Sequence, residues 1–509
     1  MRGQPVVFDD FRAGVNLLGA PYSLDRVQGR DCRNVTTNNL GALSKRRGFQ
    51  TLAAPILHPH SLAVCNASPD IFICISDDGS NVRMESVTLG GTSTDITPGM
   101  TLTAGVRWSF IQAPTSNAGT EGPIYMLNGT DSPLQWDGTG AGVPNIWTAS
   151  TSGTVPNGKY LCYFNNRVFV AGESANPSRL YWSGIGDAGD WASPSGGYTT
   201  FDPDDGEPIT GLGVVGDYIL VFKPRKIYVV FDTDTGGYRR ISSEVGCLAN
   251  RSIVETSSGT FFLSNDRQLM VTDGGSIQSV SNDIDPLLQD ISGDTIANAA
   301  AVYWKGSYYL SISGSDENNL IIEFDTRFSS WWLHDIQITS TTTVGVNDWA
   351  IANPTTTSDL YTVAANTTGS PLLLQAFVDD IYKDNGNAYT SYWITQWHSF
   401  GLPHVRKILR QLRADARGDF IVEFTKSFAT TYDSMEDLLW EVADSADSEV
   451  FGGSGTFGGS GIFGGEILVQ EHRYYTPGTA RAFSIKFSSD SNGPWDLYSY
   501  TMAIDSRRD

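Results

Sequence analysis

The run DPDDGEPITGLGVVGDYILVFKPRKIYVV, residues 202–230, decides the fold class. Within it VGDY, residues 215–218, separates an alternating apolar stretch from YILVF, and a second β-rich segment, KIYVVF at 226–231, follows at once. Gly, Asn and Asp tolerate the positive φ that a two-residue hairpin turn demands, so such a tetrapeptide reads as a reversal between antiparallel strands. The pattern recurs outward in both directions. Upstream lie SLAVC (61–65), IFICIS (71–76), YLCYF (160–164) and RVFVAG (167–172); downstream lie GTFFLS (259–264), YYLSIS (308–313) and LIIEF (320–324). Turn signals punctuate them: DDGS at 77–80, FNNR at 164–167, SNDR at 264–267, TDGG at 272–275 and WKGS at 304–307. The repeating unit is the β-hairpin.

From residue 53 to residue 370 the hairpins come at a spacing compatible with four-stranded blades of roughly 40 to 50 residues, the period of a β-propeller. Six blades fit this length, with five or seven as alternatives, and a many-stranded β-sandwich is the rival architecture. Composition points the same way. Among 509 residues there are 53 Gly, 24 Phe, 21 Tyr and 13 Trp but only 18% charged residues, which favours short strands and tight turns over long surface helices. A single ordinary core does not serve a chain of this length, whereas a ring of repeated sheets does.

The pattern changes near residue 375. YTSYWITQWHSFGLPHVRKILRQLRADARGDFIVEF, residues 389–424, joins an aromatic alternating run to the most basic segment of the chain. Val405, Ile408, Leu409 and Leu412 would suit a helical face, but alternation favours strands, with LRADARGDFIVEF turning as a hairpin at Gly418. A glycine-rich loop spans 450–465, and RAFSIKFSSDSNGPWDLYSYTMAI, residues 481–504, reads as two strands around SNGP. The expected organisation is an extended N-terminal assembly segment over 1–52, the propeller over 53–370, and a β-sandwich-like domain over 371–509.

Chemical machinery is sought in vain. His58, His60, His334, His398, His404 and His472 form no metal-binding motif, and no phosphate-binding glycine loop or nucleophile elbow occurs. Asp202, Asp204, Asp205 and Glu207 hold enough oxygens for Ca²⁺, yet their spacing is not that of a calcium loop, and an acidic turn is the favoured reading. Cys32, Cys65, Cys74, Cys162 and Cys247 are odd in number and irregularly spaced, as buried reduced thiols would be. No cofactor, metal or catalytic residue is expected. A soluble chain made in a cytoplasm is expected too, since no apolar run is long enough to span a membrane or serve as a secretory signal. The net charge of −22 argues against tight non-specific DNA binding, which rests on Lys and Arg neutralising phosphates. An acidic lumen would instead repel a polyanion and let it slide.

The opening FDDFRAGVNLLGAPYSLDRVQGRDCRNVTTNNLGALSKRRGF, residues 8–49, carries a pattern through Phe11, Gly14, Asn16, Asp31, Asn34, Val35, Gly41, Leu43, Arg47 and Gly48. That pattern resembles the N-terminus of bacteriophage virion proteins of the tail nozzle or tail hub type, similar to tail tubular protein B. The likeness continues through 124–138, 165–191, 202–230, 321–332 and 401–420. The resemblance implies a non-enzymatic structural subunit with a β-propeller and appended β-domains, assembled as a homohexameric ring below portal and adaptor. In the virion tail such a ring would retain the genome, pass double-stranded DNA without binding it specifically, and dock fibres. Arg406, Lys407, Arg410, Arg413 and Arg417 are the expected assembly contacts with an acidic neighbouring protein, the alternative being a solvated strand face. Two other functions stay open: a tail-tip propeller that binds a host glycan through exposed aromatics, and a polysaccharide-degrading tail enzyme.

Overall fold

Asn165 and Asn166 both adopt positive φ, 49° and 59°, and so turn Tyr160–Phe164 back onto Arg167–Glu173. Lys305 and Gly306, at 48° and 90°, do the same between Ala300–Trp304 and Ser307–Ile312. These are the turns read from FNNR and WKGS. The computed structural model describes the chain except residues 1–4, 21–22, 39–40, 56, 67–68, 114–121, 140–141, 294, 314–318, 339–341, 354–357, 366–370, 403–404, 428–434, 437–441, 444–469, 475–478 and 507–509. The expected glycine-rich loop, 450–465, lies outside the described residues.

The chain divides into two compact units. The larger comprises Gln50–Ile321 and Thr343–Ala376. Its sheets are antiparallel meanders that follow one another along the chain. The first runs from His58–Cys65 to Ser93–Asp95, the second from Ser109–Gln112 to Asn145–Ile146, and the third from Tyr160–Phe164 to Gly197–Thr200. The fourth runs from Gly211–Val215 to Gly237–Ser242, the fifth from Val254–Thr256 to Ile277–Ser279, and the sixth begins with Ala300–Trp304. The seventh contains Thr343–Ala352, Asp359–Ala365 and Leu372–Val378, and its outermost strand is Gly48–Ala53 from the N-terminal part of the chain.

Both faces of these sheets are apolar, because each is covered by a neighbouring sheet. Ile73, Ile75 and Met84 of the first pack with Met126, Leu134 and Trp136 of the second. Tyr125 and Leu127 share a cluster with Val168, Val170 and Trp191, and Trp147 lies 4.3 Å from Tyr125 and 5.6 Å from Trp191 between ring centroids. Phe169 and Leu180 join Ile219, Val221 and Tyr228. Phe222 meets Phe262 at 5.0 Å, Phe261 stacks on Tyr308 at 5.4 Å, and Tyr309 approaches Trp349 at 6.4 Å. The circle closes where Tyr361, Val363 and Leu373 of the seventh sheet pack on Leu62, Phe72 and Cys74 of the first. Sheets that pack in sequence and return to the first make a β-propeller. Trp147 is buried in one of these seams, so Trp147→Ala should destabilise the unit by about 3–5 kcal/mol, read as a lower urea midpoint.

The second unit comprises Met1–Phe49, Ile322–Thr342 and Phe377–Asp509. Its two main sheets are antiparallel. In one the order is Val35–Thr37, Leu43–Lys45, Trp495–Ser506, Lys407–Gly418, Gln470–Tyr474, with Val6–Phe8 also on Trp495–Ser506. In the other it is Gly29–Arg33, Ser391–Thr395, Ala482–Ser489, Ile421–Ser427. Phe487 and Tyr500, one from each sheet, face each other at 5.5 Å, and the Trp495 indole donates to Ser391 Oγ at 2.9 Å.

Two expectations change here. The strands joined at Gly418 are not a hairpin: Lys407–Gly418 pairs with Trp495–Ser506, while Ile421–Ser427 pairs with Ala482–Ser489 in the other sheet. The two strands expected around SNGP are present and lie in different sheets. Gly418, at φ 84°, makes the crossing possible, since a Cβ there would lie 2.1 Å from the Pro494 carbonyl oxygen. Lastly, the N-terminal segment does have a hairpin, Val35–Thr37 with Leu43–Lys45, and it feeds strands into both sheets.

Candidate functional site

Lys407–Gly418 is a twelve-residue strand with neighbours on both sides. Leu409, Leu412, Ala414 and Ala416 point inward and are buried, and the register shift between Leu409 and Gln411 resets the alternation. Arg410 and Arg413 are therefore exposed, as is Arg406 just ahead of the strand, and Arg417 is half-buried. Arg410 Nε lies 2.8 Å from Asp505, and Arg417 Nε 3.0 Å from Asp496. The exposed Arg410 pair contributes at most about 1 kcal/mol and leaves that charge available for another partner, whereas Arg417 is held against a buried carboxylate.

Lys407 is placed differently. It is buried, and its ammonium donates to the carbonyls of Leu402, Val405 (2.9 Å) and Arg481 (2.7 Å). Burial pushes its pKa down to about 8. The strand thus brings Arg406, Arg410, Arg413 and Arg417 toward solvent and turns Lys407 into a clamp on its own loops.

Residues of the N-terminal pattern form a framework within the same unit. Asn34 sits at φ 56°, and all its side-chain polarity is used. Its Nδ2 donates to Asp335 Oδ1 at 2.6 Å and to the Thr390 carbonyl at 2.8 Å, while its Oδ1 accepts from Arg46 Nε and the Asp335 amide. Arg46 grips Asp384 with two hydrogen bonds of 2.9 and 2.6 Å, and both side chains are at most 1% exposed. The Arg46 guanidinium lies 4.0 Å from the Tyr389 ring centroid and 5.0 Å from that of Phe49. Val15 donates to the Trp331 carbonyl at 3.0 Å, and Phe11 meets Trp393 edge-on at 6.4 Å. The sequence pattern singles out Arg47 as its basic position. The buried partner is Arg46, and only the distant Asp384 distinguishes them.

The acidic turn of residues 202–207 is occupied by the protein's own cations. Lys223 Nζ lies 2.8 and 2.9 Å from the Asp205 oxygens, and Lys226 Nζ 2.6 Å from Oδ2. Tyr228 donates to Asp202 at 2.8 Å, and Arg240 pairs with the same carboxylate at 3.1 Å. Burial alone raises the Asp205 pKa, but hydrogen bonds from Lys223, Lys226 and the Glu207 amide outweigh it and hold the carboxyl at about 2. A carboxyl depressed on folding stabilises fully above its unfolded pKa, about 3.9, and loses that contribution as pH falls toward about 2. Asp205→Asn should therefore flatten the fall in stability between pH 4 and 2, measured by urea unfolding at each pH. Among the described residues no group of three or more His, Cys, Asp or Glu is placed to hold a metal ion. All five cysteines are buried, and none is in a disulfide.

No protein family's sequence profile matches the chain, and no curated protein does. Solved structures resemble it at low identity. The Pan2 WD40 domain of Neurospora crassa aligns at TM-score 0.39 and 10% identity, over 65% of this chain and 96% of that one. The AfRom2 CNH domain aligns at 0.38 and 9%, over 64% and 98%. A puromycin hydrolase aligns at 0.39 and 12%, over 68% and 61%.

Proposed function

We propose that this chain is a non-enzymatic structural subunit of a bacteriophage tail nozzle or hub, one copy of a homohexameric ring through which the genome leaves. The observation that supports this reading best is the use made of the N-terminal pattern. Asn34 ties Arg46, Asp335 and Thr390 together, and Gly48 donates its amide to the Ile381 carbonyl, so residues of the resemblance act as a frame. We read the seven successive sheets as blades, seven being an alternative to the six that hairpin spacing favours, the last completed by Gly48–Ala53. Arg251 reaches the first, second and seventh of these sheets through His60, Trp108 and Asp348. The propeller axis is thereby crossed by side chains, and the DNA path belongs to the lumen between copies, where carboxylates would keep it from sticking. Portal and adaptor are the tail partners this role requires.

Exposed Arg406, Arg410 and Arg413, with half-buried Arg417, are the proposed contacts with an acidic neighbour. Native mass spectrometry of the purified protein, followed by imaging of intact particles, tests the ring: a closed oligomer matching axial tail density is expected. A protein that stays monomeric with tail partners and is missing from the axis overturns it. Alanine at all four arginines should leave the fold intact and abolish incorporation into particles, assayed by immunoblot of purified virions.

A further inference from the structure

Asn-Gly occurs four times in the chain, at 128–129, 157–158, 385–386 and 492–493. The pair carries its own chemistry. The glycine amide nitrogen, unhindered by a Cβ on its own residue, can attack the asparagine Cγ and give up its proton. The bond from Cγ to the side-chain nitrogen breaks, ammonia leaves, and a cyclic succinimide remains. Water then adds to one or other ring carbonyl, giving aspartate or isoaspartate. In a folded chain these steps require a free side-chain amide, a free glycine N–H and a backbone with room to bend.

Three of the four pairs are held. Asn128 is 1% exposed; its Oδ1 accepts from the amides of Thr130 and Asp131 at 2.9 and 2.8 Å, and its Nδ2 donates to Asp131 at 2.8 Å. Asn157 has a buried Oδ1, and Gly158 is wedged so that a Cβ would lie 2.4 Å from the Ala171 carbonyl oxygen. Asn385 sits at φ 49°, donates its amide to the Phe49 carbonyl at 2.7 Å, and lies in a turn closed by hydrogen bonds between Asp384 and Asn387.

Asn492 is different. It is exposed in the turn between Ala482–Ser489 and Trp495–Ser506, and among the described residues neither its side chain nor the Gly493 amide makes a hydrogen bond. A Cβ at Gly493 would meet nothing within 4 Å. The two ends of this turn are fixed. Buried Lys45 donates from Nζ to the Ser491 carbonyl at 2.6 Å. On the other side the Pro494 carbonyl oxygen abuts Gly418, and the Trp495 indole donates to Ser391 Oγ at 2.9 Å.

We propose that Asn492 is a self-modification site: it closes a succinimide with Gly493, opens to aspartate or isoaspartate, and in the isoaspartate form loosens the crossing between the two sheets of the smaller unit. In isoaspartate the main chain runs through Cβ and Cγ and gains one carbon. Between fixed ends, that length pulls the Ser491 carbonyl from Lys45 or Pro494 from Gly418. Among the described residues the first change leaves the buried ammonium the Tyr389 carbonyl as hydrogen-bond acceptor, at 3.4 Å. The inference goes beyond the tail reading and stands independently of it.

The full chain, incubated at physiological temperature at mildly alkaline and at mildly acidic pH, is mapped by peptide mass spectrometry with isoaspartate methyltransferase labelling. Conversion at Asn492 is expected at least tenfold faster than at Asn128, Asn157 or Asn385, and faster at the alkaline pH, where the attacking nitrogen loses its proton more readily. Gly493→Ala has room for its methyl group and needs no left-handed backbone; it should slow conversion at least fivefold with unchanged circular dichroism. Asn492→Gln should abolish it. Aged wild type should unfold at a lower urea midpoint than fresh protein, in proportion to its isoaspartate content, while aged Asn492→Gln keeps its midpoint. Conversion no faster at Asn492 than at the other three, a rate untouched by Gly493→Ala, or isoaspartate-bearing protein with the fresh midpoint would overturn the assignment.

Discussion

Arg46→Ala should destabilise the smaller unit by about 3–5 kcal/mol, measured as the loss of its urea-unfolding transition at neutral pH. The reason lies less in the attraction lost than in what remains. Asp384 is fully buried, and among the described residues it accepts, besides Arg46, only from the amides of Phe49 and Gln337. Removing the guanidinium leaves a desolvated carboxylate without its ion-pair partner, and Asn34 Oδ1 loses a donor as well. The double variant Arg46→Met with Asp384→Leu should recover much of the loss, since replacing both members of a buried pair by apolar groups is often nearly neutral. Recovery would locate the cost in the orphaned charge. A double variant as unstable as the single one would locate it in packing against Tyr389 and Phe49.

Gly48→Ala should be at least as severe and should reduce the yield of folded protein. A Cβ at this position would lie 1.9 Å from the Lys383 carbonyl oxygen and 2.7 Å from its carbon and nitrogen. These are backbone atoms, so the clash cannot be relieved by a rotamer change. Either the Gly48 amide gives up its 2.6 Å hydrogen bond to Ile381, or the 381–387 turn moves and takes Asp384 away from Arg46. Expression with a solubility readout, followed by thermal unfolding of any soluble fraction, measures the effect. A fold of wild-type stability would show that the turn is free to shift.

How much of this was legible depended on how local the signal is. FNNR and WKGS announce their hairpins because the turn residues themselves carry the positive φ. Gly418 also announces a reversal. Whether the two strands then pair with each other or part into two sheets depends on Ala482–Ser489 and Trp495–Ser506, which lie far along the chain. The closing strand Gly48–Ala53 was hidden for the same reason, its partner being Leu372–Val378. Lys407 shares the inward phase with Leu409, and strict alternation would have grouped Arg413 and Arg417 with it; the register shift at 410 is what turns those arginines outward. Charge density drew attention to the segment and obscured its two faces.

The outermost strand of the seventh sheet has a temporal consequence. During synthesis Gly48–Ala53 leaves the ribosome early, and the strand that receives it emerges only after most of the chain. Until then both edges stand unpaired, and the long wait imposes the loop-closure cost that makes non-local β-pairing slow. Once made, the seam reverses the asymmetry: unzipping it requires giving up contacts contributed by opposite ends of the propeller at the same time. Such a slow-opening join sets the lifetime of the fold by the height of an unfolding barrier and not by equilibrium stability alone.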